Sequence, residues 1–419
     1  MKKRLAILAV LIITILMASC FLVACNDDKG DGGNNNNNGT NGTPENGTYD
    51  MKVWCAEADK AMIEAMLYDY EQLYPNNIYN WEVQTVGEDD AGTRVIADPT
   101  TAADVFSFAS DQLGKLVTNN AISTVPSTYT SQIEEQIYVA QKAATYNGSY
   151  YAYPYTYENC FLYYNKSLLN ANAIGSLETL LTAPVDAEAN IGMDMNDAYY
   201  TTIFLYTAGV EIFGPDGTDA SSIDLNNDKA ITACNYIKSL NGKLKFKSIA
   251  AADQSAALKN GQIASVISGP HMISEFKTAL GSNFGVAKLP TIKLNNKDTQ
   301  MVCFSGVKLY GVNRNTKYPA ESAKLAAFLS NSDNQYTRLN DREFCPTNET
   351  LYDEATSSGI ETVEVVIEQA EYAKLKPALT PMSAYWTPMA SFLYGVYAQT
   401  QAQSAWAGQL ESVESALSE

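Results

Sequence analysis

The sequence predicts an α/β protein of two domains, each built on a mostly parallel sheet flanked by helices. Short apolar strands alternate with helical patterns along the chain, which is the rhythm of β-α-β units. About 370 residues follow residue 48, more than one hydrophobic core usually supports. Hydrophobic residues make up 46% of the chain, so both domains have enough apolar side chains to fill a core.

The individual elements follow from periodicity and from residues that begin or end them. Strands are expected at 52–55, 81–86, 104–109, 145–146, 150–154, 161–164 and 263–267. Helical patterns cover 63–74, 199–208, 229–240, 253–259, 322–329, 362–375, 383–400 and 404–417. Pro75 stops the first helix, and Asn147-Gly148 predicts a hairpin turn. Ser110 or Asp111 is the expected N-cap of a helix after the third strand, and Ser176 caps a later one.

The N-terminus has the pattern of a secretory signal. Residues 2–4 are basic, and the apolar run after them is closed by small residues. The run ends in Leu22-Val23-Ala24-Cys25, which resembles a bacterial lipobox, and Met17-Ala18-Ser19-Cys20 is a weaker match. We therefore expect a signal peptide at 1–24 and lipidation of Cys25. A membrane-spanning helix is the alternative interpretation.

Residues 25–48 have the composition of a flexible linker. Asparagine fills positions 34–38, and Asn-Gly-Thr triplets occupy 38–40, 41–43 and 46–48, with almost no apolar side chain in the segment. Such a segment buries too little apolar surface to offset the entropy cost of ordering. The sequence thus predicts a disordered, lipid-anchored leash that holds the domains outside the cytoplasm, at the cell membrane.

Composition excludes several kinds of partner and chemistry. The formal net charge is −19 and becomes −22 without the basic residues of the signal, which argues against nucleic acid and anionic membrane surfaces as partners. His271 is the single histidine, and the Walker A, GxGxxG and GxSxG motifs are absent. We therefore expect no metal and no cofactor. Tyrosine outnumbers phenylalanine 27 to 13, which favours a wet, aromatic-lined binding surface.

The cysteines downstream of the signal are odd in number and widely spaced. No CxxC site or disulfide framework emerges from them, so we expect most to be small core residues. One bridged pair is the alternative. These residues are Cys55, Cys160, Cys234, Cys303 and Cys345.

A series of short motifs occurs in one fixed order between residues 104 and 386. It comprises DVFSFASD at 104–111, YNG at 146–148, AYP at 152–154, Glu158 with YNK at 164–166, NDAY at 196–199 with AG at 208–209, NG at 260–261 with GP at 269–270, FGV at 284–286 with LP at 289–290, and PMSAYW at 381–386. Together these resemble the maltose/maltodextrin-binding proteins of bacterial ABC importers, over roughly residues 49–417.

The resemblance implies a periplasmic-binding-protein-like fold of two lobes joined by three crossovers. It implies an N-terminal lobe at 49–156 plus 307–344 and a C-terminal lobe at 157–306 plus 345–419. The crossovers then lie near 155–159, 304–310 and 344–347. The protein is expected to be a monomer that binds an oligosaccharide in the cleft between its lobes. The lobes close on the sugar, and the protein delivers it to the permease without catalysis.

The resemblance also implies a set of sugar-binding residues. Pyranose C–H faces pack on aromatic rings, and carboxylates accept hydrogen bonds from sugar hydroxyls. The aromatic positions implied are Phe108, Tyr155, Tyr199, Tyr385 and Trp386. The carboxylate positions implied are Asp111, Glu158 and Asp197, of which Glu158 at a crossover is the favoured acid, because an idle buried carboxylate is costly.

Several of these positions have a structural alternative. Phe108 lies in an apolar strand, and its alternative assignment is a core residue. Asp111 is explained as a helix N-cap. Tyr385 and Trp386 are adjacent in a helix and point about 100° apart, so only one is expected to face sugar, and Trp386 is favoured.

Two departures from the family pattern leave the sugar open. His271 and Phe108 stand where the family often has tryptophan, and His271 either hydrogen-bonds a hydroxyl or caps the strand exit. The family has an Asp-Lys pair after its first strand. This chain has Glu57, Asp59 and Lys60 in that region, which match the pair only imperfectly. Oligosaccharides other than maltose are therefore possible ligands.

Two other functions compete with sugar capture. A secreted glycoside hydrolase would use two carboxylates roughly 5 to 9 Å apart, and Asp111, Glu158 and Asp197 are the candidates. A binding protein for a non-sugar solute, such as a polyamine or a metal chelate, is compatible with the acidic charge. The lipid anchor and the ordered motifs favour capture, and the aromatic excess favours sugar.

Overall fold

The structure is a computed structural model that describes residues 47–418. The predicted signal peptide, Cys25 and all but the last two residues of the predicted linker lie outside the described residues. Within 47–418, no helix has both the length and the apolar character needed to cross a membrane.

The described residues alternate between strands and helices, which confirms the α/β class. The strands are β1 Thr48–Cys55, β2 Ile78–Thr85, β3 Val105–Ala109, β4 Thr145–Tyr146, β5 Ser149–Tyr150, β6 Ala152–Asn159, β7 Phe161–Asn165, β8 Ile191–Met193, β9 Glu211–Ile212, β10 Ile223–Asp224, β11 Phe246–Ser248, β12 Ser265–Ser268, β13 Phe284–Ala287, β14 Thr291–Leu294, β15 Lys297–Gln300, β16 Cys303–Val312 and β17 Ala373–Leu375. The helices are α1 Lys60–Leu73, α2 Glu88–Ala97, α3 Leu113–Thr118, α4 Thr130–Glu134, α5 Tyr138–Ala143, α6 Leu177–Thr182, α7 Ala198–Thr207, α8 Asp228–Leu240, α9 Ala251–Lys259, α10 Ile273–Leu280, α11 Pro319–Leu329, α12 Ser332–Arg342, α13 Glu349–Ala355, α14 Glu361–Ala370, α15 Trp386–Tyr397 and α16 Trp406–Leu417.

Six strands form the sheet of the first lobe. Their order is β17-β16-β3-β1-β2, and β6 also pairs with β16. β1 is parallel to β2 and β3, and β16 is parallel to β17. However, β16 runs antiparallel to β3 and β6, so the sheet is mixed where a mostly parallel one was expected. The reason is that β16 re-enters this sheet after a long excursion through the other lobe.

Five strands form the sheet of the second lobe, in the order β11-β8-β12-β7-β13. β8 is parallel to its neighbours β11 and β12, whereas β7 is antiparallel to β12 and β13. The chain enters this sheet directly from the first one, because β6 ends at Asn159 and β7 begins at Phe161. The two sheets are therefore joined at that point by a single residue.

Local signals in the sequence explain where several elements begin and turn. Ser176 caps α6 through a capping box with Thr179, as predicted. Asn147 and Gly148 both have positive φ, 47° and 77°, which is the backbone that a tight β4-β5 hairpin requires. One expectation is wrong: residues 373–375 do not continue the helix of α14. They form β17 instead, because pairing with the edge of β16 satisfies their backbone groups.

The hydrophobic core has two parts. One part fills the first lobe and continues onto the face of the second sheet that carries Tyr163 and Val266, where Phe276 of α10 packs on Tyr163. The other lies on the opposite face of the second sheet, around Leu162 and Ile267. The cysteines of the described residues are free and buried in these cores, which confirms their expected packing role.

Candidate functional site

A buried lysine joins two carboxylates where the lobes meet. Lys308, in the middle of β16, is 7% exposed, and its Nζ lies 2.8 Å from Oε2 of Glu88 and 3.9 Å from Oε2 of Glu158. Glu88 begins α2, and Glu158 lies near the end of β6. The Tyr155 hydroxyl donates to Oε1 of Glu88 at 3.0 Å. Three elements of the first lobe thus converge on one ammonium group.

The pKa values of the two glutamates, Glu88 and Glu158, are shifted in opposite directions. Burial acts to raise the pKa of Glu88, but the charge and hydrogen bond of Lys308 and the hydrogen bond from Tyr155 bring that pKa below its usual value. Burial raises the pKa of Glu158; Lys308 and Lys376 oppose this rise, while Glu88 adds to it. Within residues 47–418 no group donates a hydrogen bond to the Glu158 carboxylate. Its oxygens are therefore free to accept hydrogen bonds from a ligand.

A second lysine pairs with the next acid along the cleft. Lys376 Nζ lies 2.9 Å from Oδ1 of Asp111, and both side chains are largely buried. Its chain passes over Gly306, where a Cβ atom would come within 3.3 Å of both Lys376 and Glu158. Asp111 makes no capping hydrogen bond to the helix that follows it, so its alternative assignment as an N-cap is wrong. The Asp111 carboxylate is therefore paired with the buried ammonium of Lys376 and does not cap a helix.

Lys376 also connects this cluster to aromatic rings of the second lobe. Its Nζ lies 5.5 Å from the centroid of the Tyr199 ring. The Tyr199 ring stacks on Phe304 at 5.9 Å, and Trp386 packs on Phe304 at 5.6 Å. Phe304 is fully buried, whereas Tyr199 and Trp386 are partly exposed. The cleft thus has an acid–lysine wall (Glu88, Asp111, Glu158, Lys308 and Lys376) and an aromatic wall (Tyr199, Phe304 and Trp386).

Asp197 and His271 lie at the second-lobe side of the cleft. Asp197 caps α7, accepting from the Tyr199 N–H at 2.8 Å, and burial raises its pKa, with Asp194 and Asp89 adding to the effect. Desolvation and the charge of Lys308 lower the pKa of His271 to about 4, so its ring is neutral at pH 7. A neutral imidazole has one donor and one acceptor nitrogen, both suited to sugar hydroxyls.

Four of the predicted binding residues are not presented to the cleft. Phe108 is fully buried against Phe106 at 5.5 Å, so it is a core residue and its assignment as a stacking ring is wrong. Tyr385 is also fully buried, and its hydroxyl hydrogen-bonds Thr202 at 2.7 Å, which leaves Trp386 as the member of the pair that is accessible.

Tyr155 and Asp59 are engaged with other side chains. Tyr155 is 1% exposed, stacks on Tyr310 at 4.6 Å and supports Glu88 from behind, so a direct sugar contact is wrong for it in this structure. Asp59 is buried and paired with Arg342, which corrects its assignment as a ligand contact. Glu57, by contrast, is exposed in a short 3-10 helix at the start of α1.

The sequence reasoning missed the two lysines and Glu88. A usable signal was present, because Lys308 interrupts a strand whose ten residues are all buried. A lysine in such a strand must be paired with an acid to be tolerated. No comparable pattern marks Glu88, which reaches the cleft only through the position of α2. Within residues 47–418, no group of three His, Cys, Asp or Glu side chains has the arrangement of a metal site.

A cavity of about 590 Å³ adjoins the acid–lysine wall. It shares Lys376 with that wall and is lined further by Ser110, Tyr146, Tyr206 and Lys374. Lys376 therefore separates this cavity from the carboxylates of the cleft.

The family follows from a comparison of the whole chain with family models. The model of the bacterial extracellular solute-binding proteins matches residues 65–406. The chain belongs to this family. This membership and the similar proteins described next together confirm the two-lobed fold and the resemblance to maltodextrin-binding proteins.

Several proteins similar to this chain are named as oligosaccharide-binding proteins. The chain is 27% identical to the maltooligosaccharide ABC transporter solute-binding lipoprotein of Streptococcus pneumoniae R6, over 94% of this chain and 93% of that protein. It is 28% identical to the galactooligosaccharide-binding protein of Bacillus subtilis, over 71% and 72%. The structure of MalX from Streptococcus pneumoniae in complex with maltopentaose superposes with a TM-score of 0.76 at 25% identity, covering 87% of this chain and 99% of that one.

Proposed function

We propose that this chain is a lipid-anchored extracellular binding protein that captures a neutral, maltodextrin-like oligosaccharide and delivers it unchanged to the permease of an ABC transporter. One observation carries the proposal above the others. Glu158 accepts no hydrogen bond from the described residues and lies at the junction of the two lobes. Lys376 approaches both Glu158 and the partly exposed ring of Tyr199, and Tyr199 and partly exposed Trp386 both pack on Phe304. That combination suits a ligand with both hydroxyl groups and apolar C–H faces.

The proposed role of each binding residue follows from the chemistry of its side chain. Glu158 accepts hydrogen bonds from vicinal hydroxyls, and Tyr199 and Trp386 stack on pyranose faces. Asp197 and neutral His271 add contacts from the second lobe. Because Glu158 belongs through β6 to the sheet of the first lobe, whereas the other four groups belong to the second lobe, a sugar that touches them all binds the closed state more tightly than the open one. Its differential affinity is what drives closure, so that only loaded protein is recognised by the permease.

The lobe boundaries and the membrane anchor belong to the same proposal. The lobes comprise 49–156 plus 307–344 and 157–306 plus 345–419, except that Glu158 and β17 are counted with the first lobe, to whose sheet β6 and β17 belong. A monomer is tethered through lipidated Cys25. The relatives named as a lipoprotein of an ABC transporter support the anchor and the permease partner. The galactooligosaccharide-binding relative supports testing more than one sugar linkage.

Isothermal titration of the purified chain with maltotriose and with a galactotriose tests the proposal. We expect binding of micromolar strength with at least one of them, and the greater affinity for maltotriose. Absence of heat with maltotriose would remove the maltodextrin class. Absence of heat with every neutral oligosaccharide tested would contradict sugar capture altogether.

A second candidate function is glycoside hydrolysis, and one observation favours it. Glu88 and Glu158 share Lys308, yet one pKa is lowered and the other raised, which is the division between base and acid seen in hydrolases. Incubation with labelled maltodextrins separates the two functions. Capture predicts that the chains are recovered intact, whereas newly released reducing ends would identify an enzyme.

A further inference from the structure

Lys308 occupies a position from which it controls the charge of the cleft. Its strand is buried along its whole length, and its ammonium touches both Glu88 and Glu158. The ring of Phe344 closes another side, with its centroid 5.1 Å from Nζ. The ammonium is thus fixed beside Glu158, where a ligand would meet the acid–lysine wall.

The charges around Glu158 do not cancel. Lys376 is committed to Asp111, so this pair is neutral as a unit. Lys308 must serve two carboxylates, and the cluster of Glu88, Glu158 and Lys308 retains one negative charge. Without Lys308 the same cluster would carry two. Asp89, beside Glu88 in the first turn of α2, and Asp197 across the cleft add further negative charge.

We propose that Lys308 is the specificity-determining residue that sets the charge class of the bound saccharide. With its ammonium present, the wall offers Glu158 as an acceptor for hydroxyl groups and admits neutral sugars. Without it, the surplus charge of Glu88 and Glu158 would favour a saccharide that carries an ammonium group, because opposite charges attract more strongly in a site shielded from water. This inference rests on the proposed function and adds the residue that selects the ligand.

Three ligands that differ only in the group at C1 of the open-chain unit, and hence in charge, test the inference. They are maltotriitol, which is neutral, 1-amino-1-deoxymaltotriitol, which is cationic, and maltotrionate, which is anionic. Their dissociation constants are measured by titration calorimetry at pH 7 for the full chain and for Lys308→Met. We expect the preference for the cationic over the anionic ligand to rise at least about tenfold in the variant, while the affinity for maltotriitol falls.

Control variants separate charge from folding. Lys247→Met also removes one ammonium, from an exposed pair with Glu188 on the edge strand β11, and should leave the preference unchanged. Lys308→Arg should keep the wild-type preference, because it keeps the charge. The double variant Lys308→Met/Glu88→Gln removes both members of the buried pair and should bring the preference back towards the wild-type value.

The outcomes are distinct. A Lys308→Met protein that binds sugar with the wild-type charge preference would overturn the inference. If that variant does not fold, Glu88→Gln provides the opposite test: it removes one negative charge and should shift the preference towards the anionic ligand, and no shift would overturn the inference equally. Wild-type protein that binds none of the three, nor maltotriose, would instead contradict the proposed function on which the inference rests.

Discussion

The two walls of the cleft are built on different physical principles. The acid–lysine wall consists of buried ion pairs, in which each charge is tolerated because of its partner. The aromatic wall consists of rings stacked on a buried phenylalanine, and it needs no partner to be stable. Changes in the first wall should therefore affect folding as well as binding, whereas changes at the exposed rings of the second should affect binding alone.

The largest effect is expected from breaking an ion pair in the acid–lysine wall. Asp111→Ala leaves Lys376 buried without its partner at 2.9 Å, which should lower the free energy of unfolding by about 3 kcal/mol. Glu368→Ala is the matched control, because it breaks a pair of similar length, 2.8 Å, with partly exposed Lys288, and should cost at most about 1 kcal/mol. Denaturant unfolding without sugar measures both. Equal losses of unfolding free energy in the two variants would contradict the burial of the ion pairs in the acid–lysine wall.

The next effect tests the aromatic wall. Trp386→Ala should weaken oligosaccharide binding at least about tenfold, equivalent to about 1.4 kcal/mol, and leave thermal stability nearly unchanged, because the ring is partly exposed. Tyr394→Ala removes another exposed ring, 38% accessible, from the same helix and should not change affinity. A melting temperature that falls together with affinity would assign Trp386 to packing instead.

The same contrast explains what could be predicted from the sequence. Trp386 and Tyr199 can be proposed from the sequence because aromatic residues in ordered motifs have a recognisable local context. Phe108 and Tyr385 shared that context, but their burial depends on which side of a strand or helix faces the core. Lys376 and Glu88 depend on contacts between distant segments, such as the 220-residue separation of Glu88 and Lys308, and no local pattern encodes those contacts.

The fold was more predictable than the site for a related reason. Element type follows from periodicity over ten residues or so, as in α1, where Ile63, Met66, Leu67 and Tyr70 form the buried face. The direction of β16 and the existence of β17 depend on how the chain returns between lobes. That return is a property of topology, and hydrophobic patterning does not distinguish a parallel strand from an antiparallel one.

The smallest effect, and the sharpest test of Glu158, is the pH dependence of binding. Its raised pKa means that the carboxylate takes up a proton at a higher pH than the ordinary glutamate value of 4.5, so affinity should fall early as the solution is acidified. The neighbouring Glu88 has a lowered pKa and stays ionised in that range. Because the folded-state pKa of Glu158 is raised, its protonation adds to stability instead of removing it, and loss of binding through this group should precede acid unfolding.

In the control variant Glu158→Gln, titrations should show weaker binding whose affinity does not change over the same pH range. A variant whose affinity still fell in parallel with the wild type would assign the titration to another group, with Asp89, Asp197 and His271 the nearest candidates.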